Sequence, residues 1–167
     1  DAIRPGELAK RVQTTVTRYY DRRGPAGGAD ALLWEDKGDG DYKLVVEGNQ
    51  ISPVMKKATI AIEDKDFYKH GGVSFTGIIR SFLNNANGGS VQGGSTLTQQ
   101  LVKQVFFPPD ETLKRGLDGV PRKIKEIILS IEVERMYDKD QILNLYLNES
   151  PYGGRRNGVQ SAAKTYF

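Results

Sequence analysis

The sequence contains no cysteine and a single histidine, His70. The first absence excludes disulfide frameworks, thiolate zinc sites and cysteine nucleophiles, and the second excludes most histidine-based metal clusters. It leaves the redox compartment open, because an exported protein can simply lack cysteine. Long hydrophobic runs are also missing. The longest apolar stretches, Ile127–Leu129, Val105–Phe107 and Ala31–Trp34, fall far short of the ~18 residues a membrane span requires. Charge of one sign is scarce: 24 Lys and Arg against 21 Asp and Glu leave a net charge of +3. That is well below the density of a dedicated nucleic-acid binder, and aromatic residues do not interleave with basic ones. What is present, 167 residues of which 38% are hydrophobic and 27% charged, suits one domain with its own core. It excludes a disordered acidic tail and a membrane-embedded bundle.

The chain opens at Asp1 rather than Met, shows no signal peptide, and stops at Tyr166–Phe167 inside what reads as an unfinished helix. We read it as a piece of something longer. A composition shift near Gln50 separates a loop-rich arm, residues 1–51, from a helical remainder, residues 52–167. In the arm, Thr14–Tyr20 and Leu32–Glu35 carry β-type residues around a Gly/Pro turn, and Lys43–Val46 is a third candidate strand. Glu7–Arg18 reads equally well as a helix.

Helix signals are clear after residue 51. Ser52-Pro53 is an N-cap followed by proline, with Val54, Ala58 and Ala61 on one face. Ser74 caps a segment whose Phe75, Ile78, Ile79, Phe82 and Leu83 repeat with helical spacing. Thr96 and Gln99 form a capping box for Leu97–Phe107, which Pro108-Pro109 stops. Pro121 opens Arg122–Met136, Asp138 and Gln141 box Gln141–Asn148, and Val159–Phe167 reads as helical to its end. Five or six helices with a small β arm make the fold mainly α.

Three segments hold candidate chemistry. In the helix after Pro121, Ile124, Ile127, Ile128 and Ile131 form one apolar stripe, while Leu129 and Val133 form another. Glu126 falls on the second stripe, so the helix is expected to be buried on both faces with a carboxylate that needs a partner. Arg122, one turn earlier, is the nearest. An ion pair at the rim of a core helix and a functional acid both fit. In Ala61–Gly72, adjacent Glu63 and Asp64 end an apolar helix and His70 follows beside a Gly-Gly turn. This fits a solvated helix end capped by His70, or a general acid or base at a cleft mouth beside Phe67. Gly93-Gly94-Ser95-Thr96 leads into a helix whose N–H groups and dipole suit an anion, with Gln99, Gln100 and Lys103 adding donors. A plain capping box explains the Thr96/Gln99 pair alone, and the order of a Walker loop is missing.

Together these segments resemble the peptidoglycan glycosyltransferase domain (glycosyltransferase family 51) of class A penicillin-binding proteins and monofunctional transglycosylases. The motif E-D-x-x-F-x-x-H-x-G is matched by Glu63, Asp64, Phe67, His70 and Gly72. G-x-S-T-x-T-Q-Q is matched by Gly93, Ser95, Thr96, Thr98, Gln99 and Gln100, with the family's lysine at Lys103. R-K-x-x-E is matched by Arg122, Lys123 and Glu126, and Ile142–Asn148 with Tyr152-Gly153, Gly158 and Ala162-Ala163 is similar to a fourth motif.

The resemblance implies a mainly α, lysozyme-like domain with a small N-terminal β arm, truncated at its C-terminus, which would weaken or abolish its activity. It implies polymerisation of lipid II into glycan strands, with inversion at the anomeric carbon. Glu63 would be the general base. Glu126, with Lys125 beside it, would help the lipid diphosphate depart, directly or through a divalent cation such as Mg or Mn. Ser95, Gln100, Lys103 and Arg80 would hold diphosphate and sugar, and Asp64, Phe67, His70, Thr96, Gln99, Arg122 and Lys123 would complete the substrate site. Phe75 to Leu83, with Val105–Phe107 as a second candidate, would face the membrane. The implied partners are lipid II, the growing glycan strand, the membrane surface and phosphoglycolipid inhibitors of the moenomycin type, and no nucleic acid. The implied location is the extracytoplasmic face of the bacterial cytoplasmic membrane, anchored by an upstream helix outside this chain.

The physical chemistry agrees with that division of labour. A sugar hydroxyl is a poor nucleophile, and a positioned carboxylate that takes its proton is worth roughly 10²–10⁴-fold. A departing diphosphate needs cations more than an acid. A lytic enzyme on the same scaffold would instead keep one carboxylic acid protonated for a sugar leaving group and would lack the diphosphate-binding set. A catalytically inactive wall-binding or scaffold domain would have no use for both Glu63 and Glu126.

Overall fold

The computed structural model describes residues 4–36, 42–74, 94–113 and 116–167. Where the sequence carries local stop and start signals, the helices follow them. α1 is short, Leu8–Arg11, and α2 spans Pro53–Glu63, with the Ser52 hydroxyl accepting from the Val54 N–H at 3.3 Å. α3, Leu97–Phe106, begins in the expected capping box: Thr96 Oγ1 accepts from Gln99 N and Gln99 Oε1 accepts from Thr96 N, both at 3.2 Å. Pro108 ends it, and Pro109 opens the next helix, α4, Pro109–Leu113. α5 spans Val120–Met136, α6 Lys139–Glu149 with the Asp138/Gln141 box in place, and α7 Val159–Tyr166. The chain is mainly α, as its sequence pattern anticipates.

α3 is the hub. It packs against both α5 and α6. Its Leu97, Leu101, Val102 and Phe106 join Val133 of α5 and Ile142, Leu143, Tyr146 and Leu147 of α6 in one buried cluster. Each such aliphatic side chain is worth about 1.5–3 kcal/mol relative to exposure. Phe107 is buried and Val105 is packed against the same cluster. Val105–Phe107 therefore belongs to the core, which corrects the expectation that it faces a membrane. The companion expectations, a Ser74-capped helix and a membrane-facing Phe75 to Leu83, lie outside the described residues.

Two helix faces also differ from expectation. On α5 only one side is buried, through Glu126, Ser130 and Val133, whereas Ile124, Ile128 and Ile131 are 53%, 56% and 37% exposed. Both stripes are apolar in sequence, so periodicity alone cannot say which one meets α3. On α2, Val54, Ala58 and Ala61 are exposed, and the helix packs through Thr59 and the half-buried Met55 and Ile60.

The arm is partly as expected and more deeply tied in. β1 (Thr17–Tyr20) and β2 (Leu32–Asp36) form an antiparallel pair. β3 (Tyr42–Lys43) pairs in parallel with β4 (Arg156–Asn157). The Lys43 ammonium reaches Glu149 at 2.5 Å in a nearly buried ion pair, and the Leu44 N–H donates to Ser161 Oγ at 2.7 Å. Asn148 clasps Val46, accepting from its N–H and donating to its carbonyl, both at 2.9 Å. Leu8 and Ile51 sit in the same core as α3, α5 and α6. The sequence boundary at residue 51 thus has no counterpart in the packing.

Candidate active site

Glu63 is the last residue of α2, and its side chain is exposed. Gln100, one turn into α3, donates from Nε2 to Glu63 Oε2 at 3.1 Å. Tyr146 of α6 donates its hydroxyl to Gln100 Oε1, also at 3.1 Å. Glu63 lies on a cavity of about 330 Å³ whose walls include Met55, Ile62, Tyr146, Pro151 and Tyr152. Burial pushes the Tyr152 phenol up to about 12, and burial together with the charge of Glu63 raises Tyr146, against a smaller lowering from Ser150. Both phenols are therefore protonated donors at neutral pH.

Across Pro151 lies a second cavity, of about 350 Å³, lined by Lys103, Gln104, Phe107, Pro109, Glu149 and Pro151 among others. Gln100, Lys103, Gln104 and Phe107 recur on one side of α3 at helical spacing. The helix thus presents an amide to the carboxylate of one cavity and an ammonium to the next.

The other member of the expected acid pair is placed differently. The Glu126 side chain is 2% exposed, with Oε2 bonded to Arg122 Nη1 at 2.6 Å and Oε1 to Lys123 Nζ. Lys123 also donates to Ser95 Oγ at 2.9 Å and lies 3.4 Å from Gln99 Oε1. Arg122 is thus the partner the sequence suggests, and Lys123 is a second. Glu126 does not line the cavity that holds Glu63. The two acids are instead tied to consecutive residues in the first turn of α3, Glu63 to Gln100 directly and Glu126 to Gln99 through Lys123. Two cations against one carboxylate leave a positive patch at Ser95 and Lys123, beside the N-terminus of α3. Lys125 is exposed on α5, and Arg80 lies outside the described residues.

Several expected substrate contacts are walls of the site instead. Phe67 has no exposed surface; its ring packs edge-on against Tyr68 and His70, and Lys139 Nζ sits 4.4 Å from its centroid. Thr96 and Gln99 are 2% and 1% exposed and cap α3. A side chain without surface cannot touch a ligand, which corrects their reading as binding residues. Asp64 is likewise enclosed: Oδ2 accepts from the Leu97 N–H at 3.0 Å, and both oxygens lie within 3.0 Å of His70 Nε2. His70 therefore donates to Asp64 rather than capping helix carbonyls, and Phe67 packs with this pair rather than beside Glu63.

Gly72 links the first two motifs to α5. Its carbonyl accepts from Thr96 Oγ1 at 2.7 Å, its φ is +82°, and a Cβ there would meet the Ser130 carbonyl oxygen of α5 at 2.7 Å. Only glycine suits that conformation and that approach.

A divalent cation at Glu126 does not fit the residues present. Both carboxylate oxygens are taken by cationic side chains, and no group of three acidic or histidine residues suited to a metal occurs among the described residues.

One site residue escaped the sequence reading. Tyr146 sits among Ile142, Leu143 and Leu147 and reads as a core aromatic; the available signal was a hydroxyl on an otherwise apolar face, which a buried tyrosine must pair.

A helical domain with an acid at a cavity mouth and cations gathered around one helix N-terminus suits sugar transfer from a phosphorylated donor. The family model for the transglycosylases matches residues 32–167, and the chain belongs to that family. Among curated relatives it is 44% identical over 126 residues to penicillin-binding protein 1A of Escherichia coli, covering 75% of this chain and 14% of that protein. It is 38% identical over 165 residues to penicillin-binding protein 1A of Rickettsia bellii, covering 96% of this chain and 19% of the relative. For penicillin-binding protein 1A of Mycobacterium tuberculosis the figures are 39% over 167 residues, 100% and 19%. The chain thus spans a fifth or less of the length of these relatives.

Proposed function

We propose that this chain is a peptidoglycan glycosyltransferase that polymerises lipid II into glycan strands with inversion at the anomeric carbon. The 4-hydroxyl oxygen of the acceptor sugar attacks the anomeric carbon of the lipid-linked donor. The new carbon–oxygen bond forms as the bond to the diphosphate oxygen breaks. The hydroxyl proton passes to Glu63, and the lipid diphosphate departs with the bonding electron pair. A single displacement of this kind inverts the centre.

The observation that carries this reading is the Glu63 carboxylate, held by Gln100 at the mouth of one cavity while Lys103 lines the next. Such a base contributes roughly 10²–10⁴-fold. Lys103, Ser95, Arg122 and Lys123 oppose the charge that grows on the diphosphate, with Arg80 and Lys125 as further candidates. Glu126, enclosed by Arg122 and Lys123, acts here as the residue that aligns those two cations rather than as a group touching substrate. Asp64, His70 and Phe67 hold the end of α2 against the start of α3.

Among the described residues no helix is long and apolar enough to cross a membrane. The lipid-linked substrate and membership of the family support a domain at the extracytoplasmic face of a membrane, held by an anchor outside this chain. The same diphosphate-binding residues would take phosphoglycolipid inhibitors of the moenomycin type.

Incubation with lipid II in detergent–phospholipid micelles tests the reading. Long glycan strands are expected from the wild type and none from Glu63→Gln, with inhibitor binding retained. Turnover by Glu63→Gln would remove Glu63 from the base role, and soluble fragments released from finished strands would point to a lytic enzyme.

A further inference from the structure

The carboxylate of Glu63 accepts a hydrogen bond from a primary amide, and an amide has two faces of opposite character. Rotated by half a turn, Gln100 would present its carbonyl oxygen to Glu63, and two acceptors would oppose each other. The acceptor-only carboxylate thus selects the amide nitrogen, and the group on the far side of the amide, bonded to the oxygen that is left, holds it there. That group is the hydroxyl of Tyr146, 3.1 Å from Gln100 Oε1.

Tyr146 is 6% exposed, and its ring is fixed in the core with Leu143 and Leu147. Burial raises its phenol, and the charge of Glu63 adds to this against a lowering by Ser150, so it keeps its proton. With the amide nitrogen donating to Glu63 Oε2 at 3.1 Å, the phenol proton completes the pairing by donating to the amide oxygen, which anchors the amide to the core. The chain of donors then runs one way only, Tyr146 to Gln100 to Glu63. Among the described residues no hydrogen bond is recorded to Glu63 Oε1, the oxygen left for an incoming hydroxyl.

We propose that Tyr146 is a positioning residue for the transfer reaction: through the Gln100 amide it fixes the Glu63 carboxylate in the orientation that receives the acceptor proton. This rests on the reading of Glu63 as the base. It differs from a structural role, because only the hydroxyl is involved and the ring alone fills the core. It differs from a substrate contact, although Tyr146 also lines the cavity, because the hydroxyl acts through Gln100. Misplacement of a reacting group by an ångström costs a large factor in rate without a matching loss of binding.

The test uses Tyr146→Phe in the protein with lipid II, alone and combined with Gln100→Ala. The thermal midpoint should stay within a few degrees of the wild type, since the ring remains. The expected result is a roughly 5- to 20-fold fall in kcat with KM for lipid II within twofold of wild type. In the Gln100→Ala background the same substitution should change kcat by less than twofold, because its route to Glu63 is already gone. An unchanged kcat in the single variant would overturn the proposal. So would a raised KM at constant kcat, the mark of a direct substrate contact, or a loss of equal size in both backgrounds. Glu63→Gln run alongside separates the two levels: turnover by that variant sinks the base assignment itself, whereas an inactive Glu63→Gln beside an unaffected Tyr146→Phe sinks only the relay.

Discussion

The carboxylate of Asp64 accepts a hydrogen bond from the backbone N–H of Leu97 at 3.0 Å, so the end of α2 caps the start of α3 across 33 residues of sequence. The same carboxylate holds His70 at 2.9 Å. Substitution Asp64→Ala removes both links, and is expected to lower stability by about 1–2 kcal/mol, the usual worth of a helix cap. Urea unfolding should show a lower midpoint with an unchanged slope. Because Glu63 is the neighbouring residue, kcat should fall as well. A variant with wild-type midpoint would mean that the bond contributes nothing net.

Glu126 faces two cations at 2% side-chain exposure. Replacing it with Gln leaves Arg122, which is 15% exposed, largely enclosed without its counter-charge. The expected cost is about 3 kcal/mol, the low end for a broken buried pair, because Lys123 is 37% exposed and can turn to water. Denaturant unfolding measures it, and a loss under about 1 kcal/mol would show the cluster behaving as a surface pair. Affinity for a phosphoglycolipid inhibitor should fall in parallel, since Arg122 and Lys123 lose the group that aligns them.

Lys103 lies on the wall of the second cavity and is only partly buried. Lys103→Ala is expected to leave stability within about 0.5 kcal/mol of wild type. Binding of both lipid II and a phosphoglycolipid should weaken, by roughly 10-fold or more for the loss of a charged hydrogen bond to phosphate. Isothermal titration with the inhibitor reads this directly. Unchanged affinity would remove Lys103 from the diphosphate site.

Glu35 ties the hairpin to β3. Burial pushes its carboxyl upward, but hydrogen bonds from Arg18 Nε at 2.9 Å and the Tyr42 hydroxyl at 3.1 Å outweigh that and hold it below the ordinary glutamate value. A depressed folded value means that its stabilisation is fully present above the unfolded value of about 4.3 and is lost as pH falls through the lower folded one. Trp34, the single tryptophan, lies next to it in β2 and reports on the hairpin. Its fluorescence should stay constant from neutral pH to about pH 5 and change at more acid pH. In Glu35→Gln that transition should flatten, and an unaltered transition would assign it to other carboxylates.

What the sequence could and could not disclose follows from the range of the forces involved. The Thr96/Gln99 and Asp138/Gln141 boxes and the Ser52-Pro53 start are local, decided within one helical turn, and were legible. So was Arg122 as the partner of Glu126, four residues away on one helix. The exposed face of α5 was not, because its two apolar stripes differ only in which one α3 happens to meet. Phe67, Thr96 and Gln99 have the chemistry of binding residues, and only their tertiary surroundings reveal that they are enclosed. The two-residue pairing of β3 with β4 leaves no periodicity to read. Tyr146 was hidden for a related reason: its ring obeys the core pattern, and its hydroxyl finds its partner only through a helix 46 positions away.

The clasp between Val46 and Asn148 spans 102 residues. At translation rates of roughly 5–20 residues per second, the amide of Val46 waits about 5–20 s after its synthesis before its partner exists. During that interval the nascent hairpin, with Leu33 and Trp34 outward, has no body to dock on. Docking of the arm through this clasp therefore cannot precede the synthesis of Asn148, and a ribosome-stalled chain ending before Asn148 would carry the arm without it.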